Sequence, residues 1–375
     1  MSIRPIPRLA RTGSSCLLAA VAAAMLAAPG SAQSGAGRQA DPDDRRLRGV
    51  LGGVEMTAAD SAIQAIVARL DFDSYKEILL GLTQFGDREQ GTERNSHAID
   101  WIEAQLQSWG YETGRVHYEY TPRGSDQAEP REEVYGTKVG SSVPQEMYII
   151  GAHMDGRGGG EAANDDGSGT ALVMEIARVL AAEDIETARS VRFALWNNEE
   201  TGLNGARAYV EQRAALQGIE EPAGSGRYPE PKWLGMVQHD MMMWDHGNPV
   251  TYRQALDADV DIEFQLGSEK SDEAAALALK LLNANRMFAT DYPAVMSNSM
   301  SNTDSRAFQD LVPAVSLREN RRLYETGNRA NPHWHQPTDL FVTFSDADFR
   351  LAFNAAQTTL GAIARLVEAR VVPVQ

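Results

Sequence analysis

The stretch MYIIGAHMDGRGGGEAANDDGSG, residues 147–169, joins a short apolar run to a glycine-rich loop that leads into a helical pattern. Residues 147–151 have the apolar character of a buried strand. His153 therefore lies where a strand ends, and Asp165 lies just before the helix predicted for residues 170–182. Ligands of open α/β sheets bind at the carboxyl ends of the strands. Imidazole and carboxylate groups gathered at such an edge suit zinc and similar ions, so this stretch predicts a metal site.

Two further predicted strands also end in residues that can bind a metal. The run 190–196 is followed by Glu199 and Glu200, and the run 233–238 is followed by Asp240. Adjacent residues that leave a strand point in different directions. One glutamate can therefore bind a metal while the other acts as a general base, which a hydrolytic metal site needs.

Strand patterns alternate with helical patterns, which predicts an α/β fold. We expect a three-layer sandwich with a mostly parallel central sheet and an antiparallel edge. The runs 134–140 and 147–151, separated by a turn, predict that edge pair. The segments of about 217–232 and 245–275 lack a clear pattern and are interpreted as inserted loops. Residues 56–375 would thus form a single domain.

The amino-terminal residues have the pattern of a secretory signal peptide. Arginines precede the apolar run 16–28, and small residues suitable for cleavage follow it. We predict a signal peptide at 1–32 and a flexible linker at 33–55, and therefore export to the periplasm or the medium. The apolar run is too short to span a bilayer, so no membrane span is expected in the mature chain.

Composition excludes several classes of function. The formal net charge of −17 argues against a nucleic-acid-binding protein, which normally carries a basic patch. Cys16 is the only cysteine and lies within the predicted signal peptide. The mature protein would therefore have neither a cysteine nucleophile nor a zinc-thiolate site.

Five motifs, taken together and in order, resemble peptidase family M28, the co-catalytic zinc peptidases whose best-known members are secreted bacterial aminopeptidases. The motifs are H-x-D at His153, D-x-G-S-G at Asp165, E-E-x-G at Glu199, D-M at Asp240 and H-x-x-x-D at His335. The resemblance runs from about residue 88 to the end of the chain. No H-E-x-x-H motif is present, which excludes a thermolysin-like site.

The resemblance implies a zinc-aminopeptidase-like fold with two zinc ions bridged by Asp165. His153 and Asp240 would complete one zinc site, and Glu200 and His335 would complete the other. The D-x-G-S-G register favours Asp165 over its neighbour Asp166. The H-x-x-x-D pattern likewise favours His335 over the nearby alternative, His333.

The resemblance also assigns roles beside the metals. Glu199 would be the general base, and Asp155 would orient the imidazole of His153, a support that metal-binding histidines commonly need. Asp304 falls in the segment T-D-x-x-x-F, residues 303–308, which resembles the family's S-D-x-x-x-F segment with threonine in place of serine. Asp304 is therefore expected near the site, without an assigned role. His239 is interpreted as structural.

The implied activity is removal of single residues from peptide substrates, at the amino end. A carboxypeptidase or dipeptidase on the same fold is an alternative that requires a cation for the substrate carboxylate. The arginines considered for that role are Arg306, Arg318, Arg321 and Arg322. A single-zinc glutaminyl cyclase is a second alternative, although the intact Glu199-Glu200 pair argues against it. A non-catalytic binding protein is a third, although no ligand or base is missing.

Overall fold

The computed structural model describes residues 56–245, 258–319 and 331–373. The predicted signal peptide and linker, residues 1–55, lie outside the described residues, as do Arg321 and Arg322. Within the described residues, no helix is long and apolar enough to cross a membrane.

Three helices precede the sheet: α1 (Ala58–Val67), α2 (Phe72–Thr83) and α3 (Glu93–Ser108). The sequence between residues 56 and 82 reads as one helical pattern, but the chain breaks it into α1 and α2. Asp71 causes the break, because its extended backbone begins α2 and its side chain accepts a hydrogen bond from the Ser74 N–H. Such a capping residue starts a new helix.

The central sheet has eight strands in the described part of the chain: β1 (Glu112–Tyr120), β2 (Glu129–Lys138), β3 (Val143–His153), β5 (Arg189–Trp196), β6 (Lys232–His239), β7 (Val260–Glu263), β8 (Ala294–Ser297) and β9 (Ala314–Glu319). Their order in the sheet is β1-β2-β5-β3-β6-β9-β7-β8. The other α-helices of the described residues are α4 (Gly169–Leu180), α5 (Asn204–Arg213), α6 (Ser271–Phe288) and α7 (Asp346–Leu366), and β4 (Ile185–Glu186) forms a small separate sheet with β10 (Arg370–Val371).

The four strands β5, β3, β6 and β9 are parallel, which confirms the predicted mostly parallel sheet. The antiparallel edge also exists, but its predicted pairing is wrong. β2 pairs antiparallel with β1 and with β5, and β5 lies between β2 and β3. Although β2 and β3 follow each other in sequence, β5 pairs with both of them and separates them in the sheet.

Side chains of alternate residues in β3 enter two different hydrophobic clusters. Ile150 and Ala152 belong to the larger cluster, which includes residues of α1 to α4, α6 and α7. Met147 and Ile149 belong to the second cluster, which includes residues of α5. Because successive side chains of a strand point to opposite faces, the sheet is covered on both sides. This is the predicted three-layer sandwich.

The segment 245–275 is not simply an inserted loop. Residues 246–257 lie outside the described residues, but β7 belongs to the main sheet and pairs antiparallel with β9. At four residues, β7 is too short to show a clear period-two pattern in the sequence. β8, also four residues long, was missed for the same reason.

Candidate metal centre

The parallel strands deliver the predicted site residues to one edge of the sheet. His153 is the last residue of β3 and pairs in register with Trp196 at the end of β5. Ala152 pairs with His239 at the end of β6. The residues that follow these strand ends, including Glu199, Glu200 and Asp240, therefore emerge side by side, as the sequence predicts.

His153 is oriented for metal binding through Nε2. Its Nδ1 lies 2.9 Å from the backbone oxygen of Asp155. A carbonyl oxygen only accepts hydrogen bonds, so Nδ1 carries a proton, and Nε2 is the nitrogen left to bind a metal. Nε2 lies 3.2 Å from Oδ1 of Asp165. The side chain of His153 is 1% exposed, which keeps water from competing for this nitrogen.

Asp155 contacts His153 through its backbone and supports the two glutamates through its carboxylate. Its carboxylate Oδ1 lies 3.7 Å from Nδ1 of His153, too far for a hydrogen bond, and its backbone carbonyl orients the ring instead. The two carboxylate oxygens accept hydrogen bonds from the backbone N–H groups of Glu199, at 3.1 Å, and Glu200, at 3.4 Å. Asp155 therefore positions the turn that carries both glutamates.

Asp165 lies between two groups of possible ligands. Its Oδ1 faces Nε2 of His153, and its Oδ2 lies 3.0 Å from Nε2 of His335. His335 Nε2 is also 2.9 Å from Oε2 of Glu200. One group comprises His153, Asp165 and Asp240, and the other comprises Asp165, Glu200 and His335, with the donor atoms of each group within 4.8 Å of one another.

The neighbouring residue Asp166 has a structural function. The peptide bond between Asp165 and Asp166 is cis. The Asp166 carboxylate accepts hydrogen bonds from the backbone N–H groups of His153 at 3.2 Å, Gly169 at 2.9 Å and Met241 at 3.2 Å. It thereby ties the end of β3 to the start of α4 and to the residues after β6. This geometry agrees with the choice of Asp165 as the candidate ligand.

Asp339, the last residue of the H-x-x-x-D motif, holds the backbone at Asp165. Its two carboxylate oxygens accept hydrogen bonds from the backbone N–H groups of Asn164, at 2.8 Å, and Asp165, at 3.1 Å. His335 lies four residues before it, with a left-handed backbone conformation at φ 54°. The motif therefore positions one candidate ligand, His335, and the backbone of another, Asp165.

Asp240 is held by Arg318, one of the arginines that were candidates for binding a substrate carboxylate. Nη2 of Arg318 lies 2.8 Å from Oδ2 of Asp240, and both side chains are almost completely buried. The same nitrogen donates to the backbone oxygens of Ser301 and Asn302. Because Arg318 is buried and paired with Asp240, its guanidinium is not placed to bind a substrate carboxylate.

The two glutamates differ in their surroundings. Oε2 of Glu200 contacts His335, and Oε1 is buried with no hydrogen-bond partner among the described residues. The Glu199 carboxylate makes no hydrogen bond or ion pair within the described part of the chain, while its backbone is held by Asp155. Burial and the neighbouring carboxylates raise the pKa of Glu200 to about 7 and that of Glu199 well above its usual range.

The alternative residues His333 and His239 belong to neither ligand group, whereas Asp304 lies near the site, as expected. His333 is hydrogen-bonded to Thr338 through Nδ1 and belongs to neither group. His239 is buried between Gly151 and Thr359, and burial lowers its pKa to about 4, as expected of a structural histidine. Asp304 is buried and accepts a hydrogen bond from Gln238, and burial raises its pKa to about 8.

Arg157 contacts the site and was overlooked in the sequence. Its Nη2 lies 2.9 Å from Nδ1 of His335, and its Nε lies 3.3 Å from Oε2 of Glu200. Residue 157 belongs to the glycine-rich loop after His153. Its position two residues after the H-x-D motif is the sequence feature that could have indicated a role at the site.

The donor set fits two divalent cations of the zinc type. Two imidazole nitrogens and three carboxylates are divided into two groups that share Asp165. The buried Oε1 of Glu200, which lacks a hydrogen-bond partner among the described residues, fits a cation-binding role.

The profile of "Peptidase family M28" matches residues 133–359. The chain belongs to peptidase family M28. This match contains every one of the motif residues from His153 to His335, so the family resemblance in the sequence is confirmed.

Two curated relatives of this M28 chain illustrate its sequence likeness. A probable zinc metalloprotease of Leptosphaeria maculans is 31% identical over 175 residues, which cover 41% of this chain and 40% of the relative. A probable lipoprotein aminopeptidase, LpqL, of Mycobacterium tuberculosis is 43% identical over 91 residues, which cover 24% of this chain and 18% of the relative. The chain thus spans less than half the length of these relatives.

Solved structures share the fold of this M28 chain. The Legionella pneumophila LapA aminopeptidase has a TM-score of 0.62 at 18% identity, covering 84% of this chain and 76% of LapA. A glutaminyl cyclase of Porphyromonas gingivalis has a TM-score of 0.59 at 16% identity, covering 80% of this chain and 99% of the cyclase. Aminopeptidases and cyclases share this fold, so the choice between them rests on the site.

Proposed function

We propose that this M28 protein is an exported, zinc-dependent aminopeptidase that hydrolyses the first peptide bond of its substrates. The observation that carries the proposal is the position of Asp165, whose two carboxylate oxygens face the imidazoles of His153 and His335 in separate ligand groups. Two zinc ions would be held there, one with His153 and Asp240 and the other with Glu200 and His335.

Two bound zinc ions supply Lewis acidity, which lowers the pKa of water and polarises the scissile carbonyl. Glu199 is the general base: it accepts the proton of the attacking water and later donates it to the leaving amine. Burial and the neighbouring carboxylates raise the pKa of Glu199 above its usual range, which strengthens it as a proton acceptor. Asp155 keeps Glu199 in place through the backbone.

The amino end is favoured by the charge of the site. Carboxylates dominate the cluster, and a free α-ammonium group of the substrate complements them. The name of the relative LpqL, a probable lipoprotein aminopeptidase, supports the same choice. The Glu199-Glu200 pair and the two ligand groups sharing Asp165 support a hydrolase over a single-zinc cyclase.

The test is hydrolysis of one hexapeptide in three forms, free, N-acetylated and C-amidated, with and without a chelator. We expect the free and amidated forms to lose residues from the amino end and the acetylated form to resist. The chelator should abolish cleavage, and zinc should restore it. Loss of cleavage on amidation would replace the proposal with a carboxypeptidase. No cleavage of any form by zinc-loaded protein would refute a peptidase, and a glutaminyl peptide would then test the cyclase.

Export is part of the proposal and has a separate test. The support is the pattern of residues 1–32, which ends in small residues before Gln33. Amino-terminal sequencing of protein recovered from the periplasm or medium should begin at Gln33. Recovery of the full-length chain from the cytoplasm alone would contradict export.

A further inference from the structure

Arg157 covers the second ligand group from the solvent side. Its side chain is 49% exposed, whereas those of Glu200 and His335 are 7% and 18% exposed. Besides its contacts with His335 Nδ1 and Glu200 Oε2, its Nη1 donates to the backbone oxygen of Glu200 at 3.3 Å. The guanidinium therefore lies between solvent and the site and is balanced by the carboxylate of a candidate ligand.

A cation bound by Asp165, Glu200 and His335 would remove these partners from Arg157. The cation would take the lone pair of His335 Nε2, and a neutral imidazole then carries its proton on Nδ1. Nδ1 would face the guanidinium as a second donor, so the contact seen at 2.9 Å could no longer be a hydrogen bond. The cation would also neutralise Glu200 and repel the guanidinium. A loaded site therefore releases Arg157 toward the solvent.

The backbone of Arg157 is fixed while its side chain can swing. Gly158 has φ 104°, and a Cβ on it would lie 2.6 Å from the His335 backbone carbon, so the loop packs directly on the segment that carries His335. The Gly159 N–H donates to Oδ2 of Asp87 at 3.0 Å. Any movement of the guanidinium is thus a rotation of the side chain about an anchored Cα at the mouth of the site.

Other arginines that contact the site region are already committed in the described part of the chain. Arg318 is buried on Asp240, and Arg88 is buried with its donors on backbone oxygens that include those of Met154 and Ala162. Arg157 is half-exposed and contacts the ligand group directly. It is therefore a described arginine at the site that can meet a substrate.

From this geometry, and resting on the proposed peptidase function, we infer that Arg157 binds a carboxylate of the substrate. A guanidinium pairs with a carboxylate through two parallel hydrogen bonds, which gives specificity as well as affinity. The carboxylate has two possible sources, the C-terminal carboxylate of a dipeptide or an acidic side chain at the first position. In either case the site selects short or acidic substrates.

The test uses two matched pairs of peptides, Leu-Gly against Leu-Gly-amide and Glu-Gly-amide against Gln-Gly-amide. We expect wild type to prefer the carboxylate member of at least one pair, which identifies the source. Arg157→Ala should lower kcat/KM for that member by about 10- to 100-fold and change its neutral partner by less than about threefold. Arg157→Lys should fall between, because it keeps the charge but not the paired hydrogen bonds. Arg370→Ala, which removes an exposed arginine of the small β4–β10 sheet, is the matched control and should behave as wild type.

A second readout does not depend on turnover. Because Arg157 must leave the ligand group when a cation binds, Arg157→Ala protein stripped of metal should bind zinc at the group of Asp165, Glu200 and His335 at least about threefold more tightly than wild type. Weaker binding of zinc at that group would overturn the inference. So would equal losses on all four peptides in Arg157→Ala, or no carboxylate preference in wild type.

Failure of the inference and failure of the proposed function can be told apart. If wild type cleaves no peptide, the peptidase proposal fails. Calorimetric titration of zinc-loaded Glu199→Gln protein with the same four peptides then compares their binding affinities without catalysis. A carboxylate preference that disappears in the Arg157→Ala/Glu199→Gln double variant supports the inference, and its absence or survival refutes it.

Discussion

The Glu199 N–H donates a hydrogen bond of 3.1 Å to Oδ1 of Asp155, so the last residue of the H-x-D motif holds the backbone of the proposed general base. Asp155 lies just beyond β3 and Glu199 just beyond β5, two strands that are adjacent and parallel. The same aspartate orients His153 through its backbone oxygen. One residue thus sets the relative positions of a candidate metal ligand and the base.

Asp155→Ala should lower kcat by about 10- to 100-fold while leaving zinc content near two per chain, because a displaced base is a positioning defect. KM should change much less than kcat. Asp155→Asn, which keeps one carbonyl oxygen as an acceptor for the turn, should recover part of the loss. Steady-state kinetics and metal analysis on the same preparations check this. An equal loss in both variants, accompanied by loss of zinc, would show that the carboxylate acts on the metal site itself.

Glu199→Gln should lower kcat by about 100-fold or more while zinc content stays unchanged, because the amide has a similar shape but cannot accept the proton. The Glu199 carboxylate makes no described hydrogen bond, so folding should not suffer. Glu186→Gln, at an exposed ion pair with Arg370, is the matched control and should retain full activity. A Glu199→Gln enzyme with near-normal kcat would remove Glu199 from the role of base.

Asp165→Asn should lose zinc from both groups, since its oxygens face both His153 and His335. Asp240→Asn and His335→Ala should each weaken only one group. Zinc per chain, measured after removal of loosely bound metal, should therefore be near zero for the first variant and near one for the other two. Near-normal zinc in Asp165→Asn protein would contradict the bridging role.

His239 should make the metal-free protein less stable at low pH. Its Nδ1 faces the Gly151 oxygen and its Nε2 faces the Thr359 hydroxyl, an arrangement that suits the neutral ring. Burial lowers its folded-state pKa to about 4, below the ordinary unfolded value of about 6.5. The stabilisation is therefore complete above the unfolded pKa and is lost as pH falls toward the folded pKa.

When the pH falls from 7.5 to 5, protonation linked to His239 alone should lower the free energy of unfolding by about 2 kcal/mol. The asparagine of His239→Asn can still donate to Gly151 but does not titrate, so its stability relative to wild type should rise by that amount over the same range. Urea unfolding in the presence of a chelator measures it. His97→Asn, which changes an exposed histidine, serves as the control, and its free energy of unfolding should vary with pH as that of wild type does. A difference between His239→Asn and wild type that does not vary with pH would refute the assignment.

The sequence predicted more of the site than of the sheet. Strand ends indicated a metal site, the resemblance to peptidase family M28 singled out the candidate ligands His153, Asp165, Glu200, Asp240 and His335, and the structure brings these residues into two groups. The pairing of β2 was wrong, because strand order depends on contacts between distant segments. β7 and β8 were missed because four residues are too few to show a period.

By itself, the sequence determined the family motifs and the candidate residues for the chemistry, because residue types and their spacing are local properties of the chain. Only the tertiary structure decided what supports them. The Asp155 carboxylate holds Glu199, Asp339 holds the backbone of Asp165, Arg318 holds Asp240, and Arg157 covers His335. Asp155 and Glu199 are 44 residues apart and Asp165 and Asp339 are 174 apart, and such contacts exist only once the parallel strands have brought their carboxyl ends together.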